Sequence, residues 1–266
     1  MSKGYLLVAM GDNYIKQACL CALSIKKTQT LSNVSIMTSD IVPNNYKHLF
    51  DEIIEIPWWT SDRSFYGPEH RWKVFHITPY EETIVLDTDT IFLNNVDYIW
   101  NSLQGYSVGF LTDVKTYRGT TVVDNFYRQV FVKNNLPNIY NAFHYFKKDD
   151  IALDYYKHLE LVCKNSKEFY NIHLKKLKPK VTSMDVNHAI AILSSNLQTY
   201  EINSLNFIHM KSKVQGWKES NESWIHDIPF YFNDDCSLKI GNYQQSGVFH
   251  YVDHKFCNEV IGKYHA

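Results

Sequence analysis

The chain has 266 residues, a mass of 31.3 kDa, 45% hydrophobic residues, and 27 Lys+Arg against 28 Asp+Glu. Such a length buries on the order of 70–75% of the unfolded surface, and the composition excludes a disordered or fibrous chain. The formal net charge of −1 excludes a surface built throughout for nucleic acid, though not a local basic patch.

Residues 5–10 read as a short apolar strand, too short for a signal-peptide core, and no run approaches the ~18 apolar residues of a membrane span, so no stable membrane insertion is expected. Gly11-Asp12-Asn13 breaks the strand, and Tyr14 to Lys27 has helical spacing with lysines at its carboxyl end. Val34 to Thr38 is a second strand, Tyr46 to Phe50 a short helix, and Glu52 to Ile56 a third strand. This alternation predicts a parallel sheet with crossover helices. Pro57 to Glu69 is a loop rich in Trp58, Trp59, Phe65 and Tyr66; Arg71 to Ile77 is a helix, and Thr83 to Leu86 a core strand. Further strands are expected at 105–111, 139–146, 205–210 and 247–252, helices at 149–163 and 185–193, and a basic loop at 173–180. The five cysteines, Cys19, Cys21, Cys163, Cys236 and Cys257, form no CxxC pair. They suit a reducing cytoplasm better than a disulfide scaffold. With no repeat and no linker, one continuous α/β domain over 1–266 is the economical reading.

The sharpest feature is Ile84-Val85-Leu86-Asp87-Thr88-Asp89. Two acids at i and i+2 project to one side of a strand end, where open α/β sheets bind ligands. Carboxylates that close repel, so one is protonated or a cation lies between them; a hard divalent ion with oxygen ligands meets the need. Two chemistries use this pattern: the DxD metal site of nucleotide-sugar glycosyltransferases, and the nucleophile loop of haloacid-dehalogenase-type phosphatases, with Asp87 attacking. The phosphatase loop normally follows the first core strand. Here three strands precede it, which favours the transferase. A non-catalytic nucleotide-sugar-binding module is the third reading.

The stretch from Tyr5 to Trp100 resembles the donor-binding half of a GT-A glycosyltransferase of the glycogenin and bacterial galactosyltransferase type, family 8. The likeness extends patchily to about residue 255. Ala9, Met10, Asp12, Asn13 and Tyr14 resemble the family's first strand and nucleoside-holding turn. Lys73, fourteen residues before Asp87, resembles its donor-contacting lysine, and Leu86 to Asp97 follows its DxD strand and turn, with Thr88 between the acids. Asn141-Ala142-Phe143 resembles the step that touches the donor sugar, with Phe143 in place of a glycine. Asp185 resembles the aspartate of an Asp-Gln motif near the reacting sugar, with Val186 in place of the glutamine. The resemblance implies a GT-A, Rossmann-like, mostly parallel sheet flanked by helices, with residues 1–100 as the nucleotide-sugar half and 101–266 as the acceptor half and C-terminal metal and phosphate segment. It implies Asp185 and Asn141 at the reacting sugar, retention of configuration, and Mn²⁺ or Mg²⁺ held by Asp87, Asp89 and a histidine.

Two histidines compete for that place. His250 is followed five residues later by Lys255, a candidate phosphate ligand; His209 lies near Lys211, a second one, and Trp217. The family's histidine follows its Asp-Gln motif at long range, and His250 lies 65 residues after Asp185 against 24 for His209. His250 is therefore preferred, with His209 as the alternative. Lys211, Lys213 and Lys218 form one basic cluster and Lys175, Lys176, Lys178 and Lys180 another; each is a solvated face or an anion contact. The sequence also resembles the glycosyltransferases of tailed phages, which implies the host cytoplasm if the chain is phage-encoded and adds a hydroxylated base in DNA to the open acceptors, a glycan, a lipid-linked sugar or a protein hydroxyl.

Overall fold

The computed structural model describes residues 2–56, 68–124, 128–210 and 223–265. Trp58, Trp59, Phe65, Tyr66, Lys211, Lys213, Trp217 and Lys218 lie outside them. The strands are β1 (Lys3–Val8), β2 (Val34–Met37), β3 (Glu52–Ile54), β4 (Glu82–Leu86), β5 (Thr90–Phe92), β6 (Val108–Leu111), β7 (Val114–Lys115), β8 (Tyr140–Lys147), β9 (Tyr200–Ile202), β10 (Phe207–His209), β11 (Phe230–Phe232), β12 (Leu238–Ile240), β13 (Tyr243–Gln244) and β14 (Val248–His250). The helices are α1 (Asp12–Thr28), α2 (Val74–Ile77), α3 (Tyr98–Ser102), α4 (Gln129–Asn134), α5 (Asp150–Lys164), α6 (Ser166–His173), α7 (Met184–Ser195), α8 (Trp224–Asp227) and α9 (His254–Ile261). A 3₁₀ stretch, Pro68–Lys73, leads into α2.

The central sheet has the order β3-β2-β1-β4-β8-β6-β9. It is parallel from β3 to β4 and again between β6 and β9, while β8 runs antiparallel to both its neighbours. The apolar runs of β2 and β4 are buried along their whole length, as strands covered on both faces must be. One face packs on α1, through Ile15, Ala18, Ala22 and Ile25; the other packs on α5 and α7, through Tyr155, Leu159, Ala189 and Ile190. The amino end of α5 is capped by Asp149, whose side chain accepts the Ala152 N–H at 2.9 Å.

A smaller sheet, β5-β14-β10-β7, begins where the large one stops. β4 ends at Leu86 and β5 starts at Thr90, so Asp87, Thr88 and Asp89 form the turn joining the two sheets. β14 lies parallel to β10 and antiparallel to β5, and His250 faces Thr90. A third sheet, β11-β12-β13, packs Phe232, Leu238 and Ile240 against Phe256 and Val260 of α9. No helix among the described residues is long and apolar enough to cross a membrane, and the five cysteines are buried without a disulfide.

The structure adjusts several expectations. The first strand ends at Val8, which leaves Ala9 and Met10 in the turn, and α6 takes in His173, the first residue of the expected basic loop. The expected strand at 247–252 stops at His250, because Val252 sits at φ 58 and turns the chain into α9. Left-handed geometry is rare for a β-branched residue, and the pattern carries no sign of it.

Gly247 sets the entry to β14. Its φ is +85, and an added Cβ would collide with the Asn206 carbonyl oxygen. Its carbonyl accepts the Leu93 N–H at 2.9 Å, so the collision cannot be relieved without moving β5. Gly247→Ala is expected to lower stability by about 3 kcal/mol in urea unfolding; a loss under ~1 kcal/mol would contradict this packing.

Candidate active site

The turn after β4 is pinned by its backbone. The Asp87 N–H donates to the Ala142 carbonyl at 3.0 Å, and the Tyr251 N–H to the Asp89 carbonyl at 3.0 Å. The Thr90 hydroxyl donates to the Asp87 carbonyl at 2.8 Å. Strand β8 on one side and the end of β14 on the other therefore fix two half-buried acids. Thr88 between them is buried, its hydroxyl donating to Gln17 of α1 at 3.4 Å.

His250 Nε2 lies 2.9 Å from Asp89 Oδ1. One ligand atom each from Asp87, Asp89 and His250 falls within 4.8 Å of the others. His209 is the cross-strand partner of His250, its ring packed edge-on at 4.5 Å between centroids and, on another side, 6.4 Å from Tyr140. It is buried and stands behind the cluster, not in it. Arg71, absent from the sequence reading, brings its guanidinium to 3.9 Å from Asp87 Oδ1.

The two acids sit in different fields. Burial pushes the Asp87 carboxyl up and the neighbouring Asp89 charge adds to this, with Arg71 and His250 opposing. Burial also acts upward on Asp89, but the charge and hydrogen bond of His250 outweigh it and hold that carboxyl below its ordinary value. The donor set, two oxygens and one imidazole nitrogen around a small space, suits a hard or borderline divalent cation.

Asn141 and Asp185 meet beside this turn. In a regular ladder Leu111 would face Phe143; it faces Tyr140 instead, so residues 141–143 bulge from β6 while Phe143 still pairs with Leu86. The bulge frees the Asn141 backbone. Its N–H donates to Asp185 Oδ1 at 2.8 Å, and His144 Nδ1 lies 3.1 Å from its carbonyl. Asp185 Oδ2 accepts from Arg128 Nη1 at 2.8 Å. Asn141 Oδ1 is buried without a hydrogen-bond partner.

The other residues singled out by sequence are more dispersed. Ala9 is buried and Met10 half-buried, Asp12 and Asn13 are exposed in the first turn of α1, and Tyr14 packs edge-on against His254 at 5.3 Å. Lys73 turns toward α5: its ammonium lies 5.6 Å from the Trp72 ring, and its charged neighbours there are Lys164 and Glu160. Lys255 is exposed, with Nζ 3.4 Å from His226 Nε2. In the basic loop, Lys175 and Lys178 donate to Asn171 at the end of α6. Phe143 and Val186 are core residues. Lys211 lies outside the described residues.

A parallel sheet crossed by one antiparallel strand, with an Asp-x-Asp turn opening onto a second small sheet, is the GT-A glycosyltransferase fold, and solved structures bear out the assignment. Mouse xyloside xylosyltransferase 1 in its apo form superposes with a TM-score of 0.55 at 11% identity, over 94% of this chain and 97% of that one. The galactosyltransferase LgtC, in complex with donor and acceptor sugar analogues, superposes with a TM-score of 0.54 at 12% identity, over 97% and 95%. An active-site mutant of LgtC gives 0.51 at 13% identity. No protein-family model matches the sequence, and no curated protein sequence does either.

Behind Asn141, burial lowers His144 to about 4 and holds His188 well below its ordinary value. Tyr156 Oη lies 3.3 Å from His144 Nε2, and Tyr155 Oη 2.6 Å from His188 Nδ1. Both rings stay neutral when folded and take a proton near 6.5 when unfolded. The contribution of these two rings to stability is therefore full above pH 6.5 and is lost as the pH drops toward 4, by about 3 kcal/mol for His144. Urea unfolding across this range should show that slope, and His144→Gln should flatten it; an unchanged slope would place the protons elsewhere.

Proposed function

We propose that the chain is a metal-dependent glycosyltransferase that moves a sugar from a nucleoside-diphosphate sugar to an acceptor hydroxyl. The observation that carries this is the convergence of Asp87, Asp89 and His250 at the end of β4 in a chain with this fold. The whole of 1–266 is read as one domain, with 1–100 as the donor half and 101–266 as the acceptor half. Its family 8 character and retention of configuration rest on the sequence resemblance.

Asp87, Asp89 and His250 would hold the cation, Mn²⁺ or Mg²⁺, the mixed oxygen and nitrogen set favouring Mn²⁺. When bound, the ion supplies Lewis-acid stabilisation of charge on the departing diphosphate. Arg71, beside Asp87, adds a fixed positive charge for phosphate oxygens. Ala9 to Asn13 and the Tyr14 ring form the nucleoside side, and Asn141 and Asp185 the sugar side. Lys73 and Lys255 would reach the phosphates only by leaving Trp72 and His226.

A saccharide acceptor is the favoured reading. The LgtC complex is one with an acceptor sugar analogue, and xyloside is in the name of the mouse enzyme. Two lysines of the basic loop are engaged by Asn171, which takes support from a footprint on DNA. Nothing favours the phosphatase: the fold likeness runs to glycosyltransferases, and Asp87 is flanked by a guanidinium and an imidazole in a three-ligand cluster.

The test is nucleoside-diphosphate release from a panel of UDP- and GDP-sugars, with and without Mn²⁺. Asp89→Ala should lower release by ~10²-fold or more and weaken Mn²⁺ binding measured directly by electron paramagnetic resonance. His250→Ala should raise the Mn²⁺ requirement, while His209→Ala should leave it nearly unchanged. Aryl-phosphate hydrolysis abolished by Asp87→Asn, without nucleotide-sugar binding, would overturn the proposal.

A further inference from the structure

We infer that Arg128 and Asp185 are a positioning pair that holds the β8 bulge and so fixes Asn141 against the Asp87 turn. Arg128 is fully buried. Its guanidinium is stacked between the rings of Phe131 and Tyr140, at 3.7 and 3.8 Å from their centroids. Nε donates to Asn138 Oδ1 at 2.7 Å, Nη2 to the Ile139 carbonyl, and Nη1 to Asp185 Oδ2 at 2.8 Å. One cation thus engages residues 138, 139 and 140 directly and reaches 141 through Asp185, which lies 57 residues away in sequence.

The bulge explains why such a device is needed. Residues 141–143 leave the β6 ladder, and a buried backbone group without a partner is costly. Asp185 Oδ1 takes the Asn141 N–H and His144 faces its carbonyl. The next carbonyl, of Ala142, holds the Asp87 N–H. Asp185 already accepts from Arg128 and from the Asn141 backbone, whereas Asn141 Oδ1 is buried with no partner. It is therefore Asn141 that keeps an unpaired acceptor beside the Asp87 turn, and Asp185 acts through the Asn141 backbone. A bulge next to a site, re-aiming one side chain, is a recurrent use of this irregularity. The fork geometry of the guanidinium, stacked and multiply bonded, is one that lysine cannot reproduce.

The kinetic half of this inference rests on the glycosyltransferase reading; the structural half does not. Arg128→Lys keeps the charge and loses the fork. Asn138→Ala is milder and removes one acceptor at the half-buried rim, so it serves where Arg128→Lys does not fold. Hydrogen exchange followed by NMR in the metal-free protein should show the Asn141 amide exchanging about tenfold faster or more, with Leu7 and Val85 amides unchanged. Nucleoside-diphosphate release should lose roughly 10–100-fold in kcat, as for a misplaced group, with donor KM little altered. Unchanged Asn141 exchange in the folded variants overturns the inference. A uniform rise across β1 and β4 also overturns it, since that assigns Arg128 to general stability. If the wild-type chain transfers no sugar, the exchange result still decides the pair, and the failure belongs to the functional reading.

Discussion

Two carboxylates with a single residue between them at the end of a buried strand repel each other, and much of the surrounding structure answers that repulsion. Asp87 and Asp89 cannot separate, because the backbone between them is tied to Ala142 on one side and to Tyr251 on the other. Positive or polarisable groups come instead to them: His250 from β14 at 2.9 Å and Arg71 from the 3₁₀ stretch at 3.9 Å. The second sheet has a clear part in this arrangement. Without β5 and β10 flanking it, β14 would not end beside Asp89, and the three ligand atoms would not share one small space. Under the proposed reading, a divalent cation completes what the protein leaves partly balanced.

The side of the turn that meets β8 is organised by a second buried charge, this one compensated by Arg128. Arg128 and Asp185 neutralise each other; Arg128 also bonds Asn138 and the Ile139 carbonyl just before β8, and Asp185 takes the Asn141 N–H of the bulge. A buried ion pair contributes little net stability when its desolvation is counted. Its value here is geometric: it fixes which atoms of residues 139–141 face inward. The neutral His144 and His188, with their tyrosine partners, fill the space behind without adding charge.

Much of this was legible in the sequence, for identifiable reasons. A strand buried on both faces reads as a mostly apolar run, so β1, β2 and β4 could be found, and the acids after β4 stood out because Ile84, Val85 and Leu86 lead straight into them. His250 was preferred over His209 by distance along the chain, while the register that seats His250 beside Asp89 and His209 behind it is a property of β14 lying between β5 and β10. Strands of two or three residues, such as β7 and β13, carry no period to detect. Arg71 was missed for Lys73 because the stretch is a 3₁₀ turn. At three residues per turn, two positions differ by about 240° around the axis, so Arg71 faces Asp87 when Lys73 faces α5. Arg128 was illegible for another reason: a fully buried arginine contradicts the ordinary partition of residues, and its acid lies far along the chain.

The distribution of cations near the turn bears on how a chain of net charge −1 could hold a diphosphate. Among the described residues, the lysines named from sequence are turned elsewhere, Lys73 to Trp72 and Lys255 to His226, and Arg128 is matched by Asp185. Arg71 lies beside Asp87 at 3.9 Å, and His250 beside Asp89 at 2.9 Å. A nucleoside diphosphate approaching this wall brings further negative charge to a pair that already repels, and one guanidinium cannot offset both. Under the proposed reading, a divalent ion held by the two acids and His250 serves donor binding before any chemistry begins. In that case metal removal acts first on donor affinity and only second on turnover, and the Asp87, Asp89 and His250 cluster is as much the donor's binding site as the metal's.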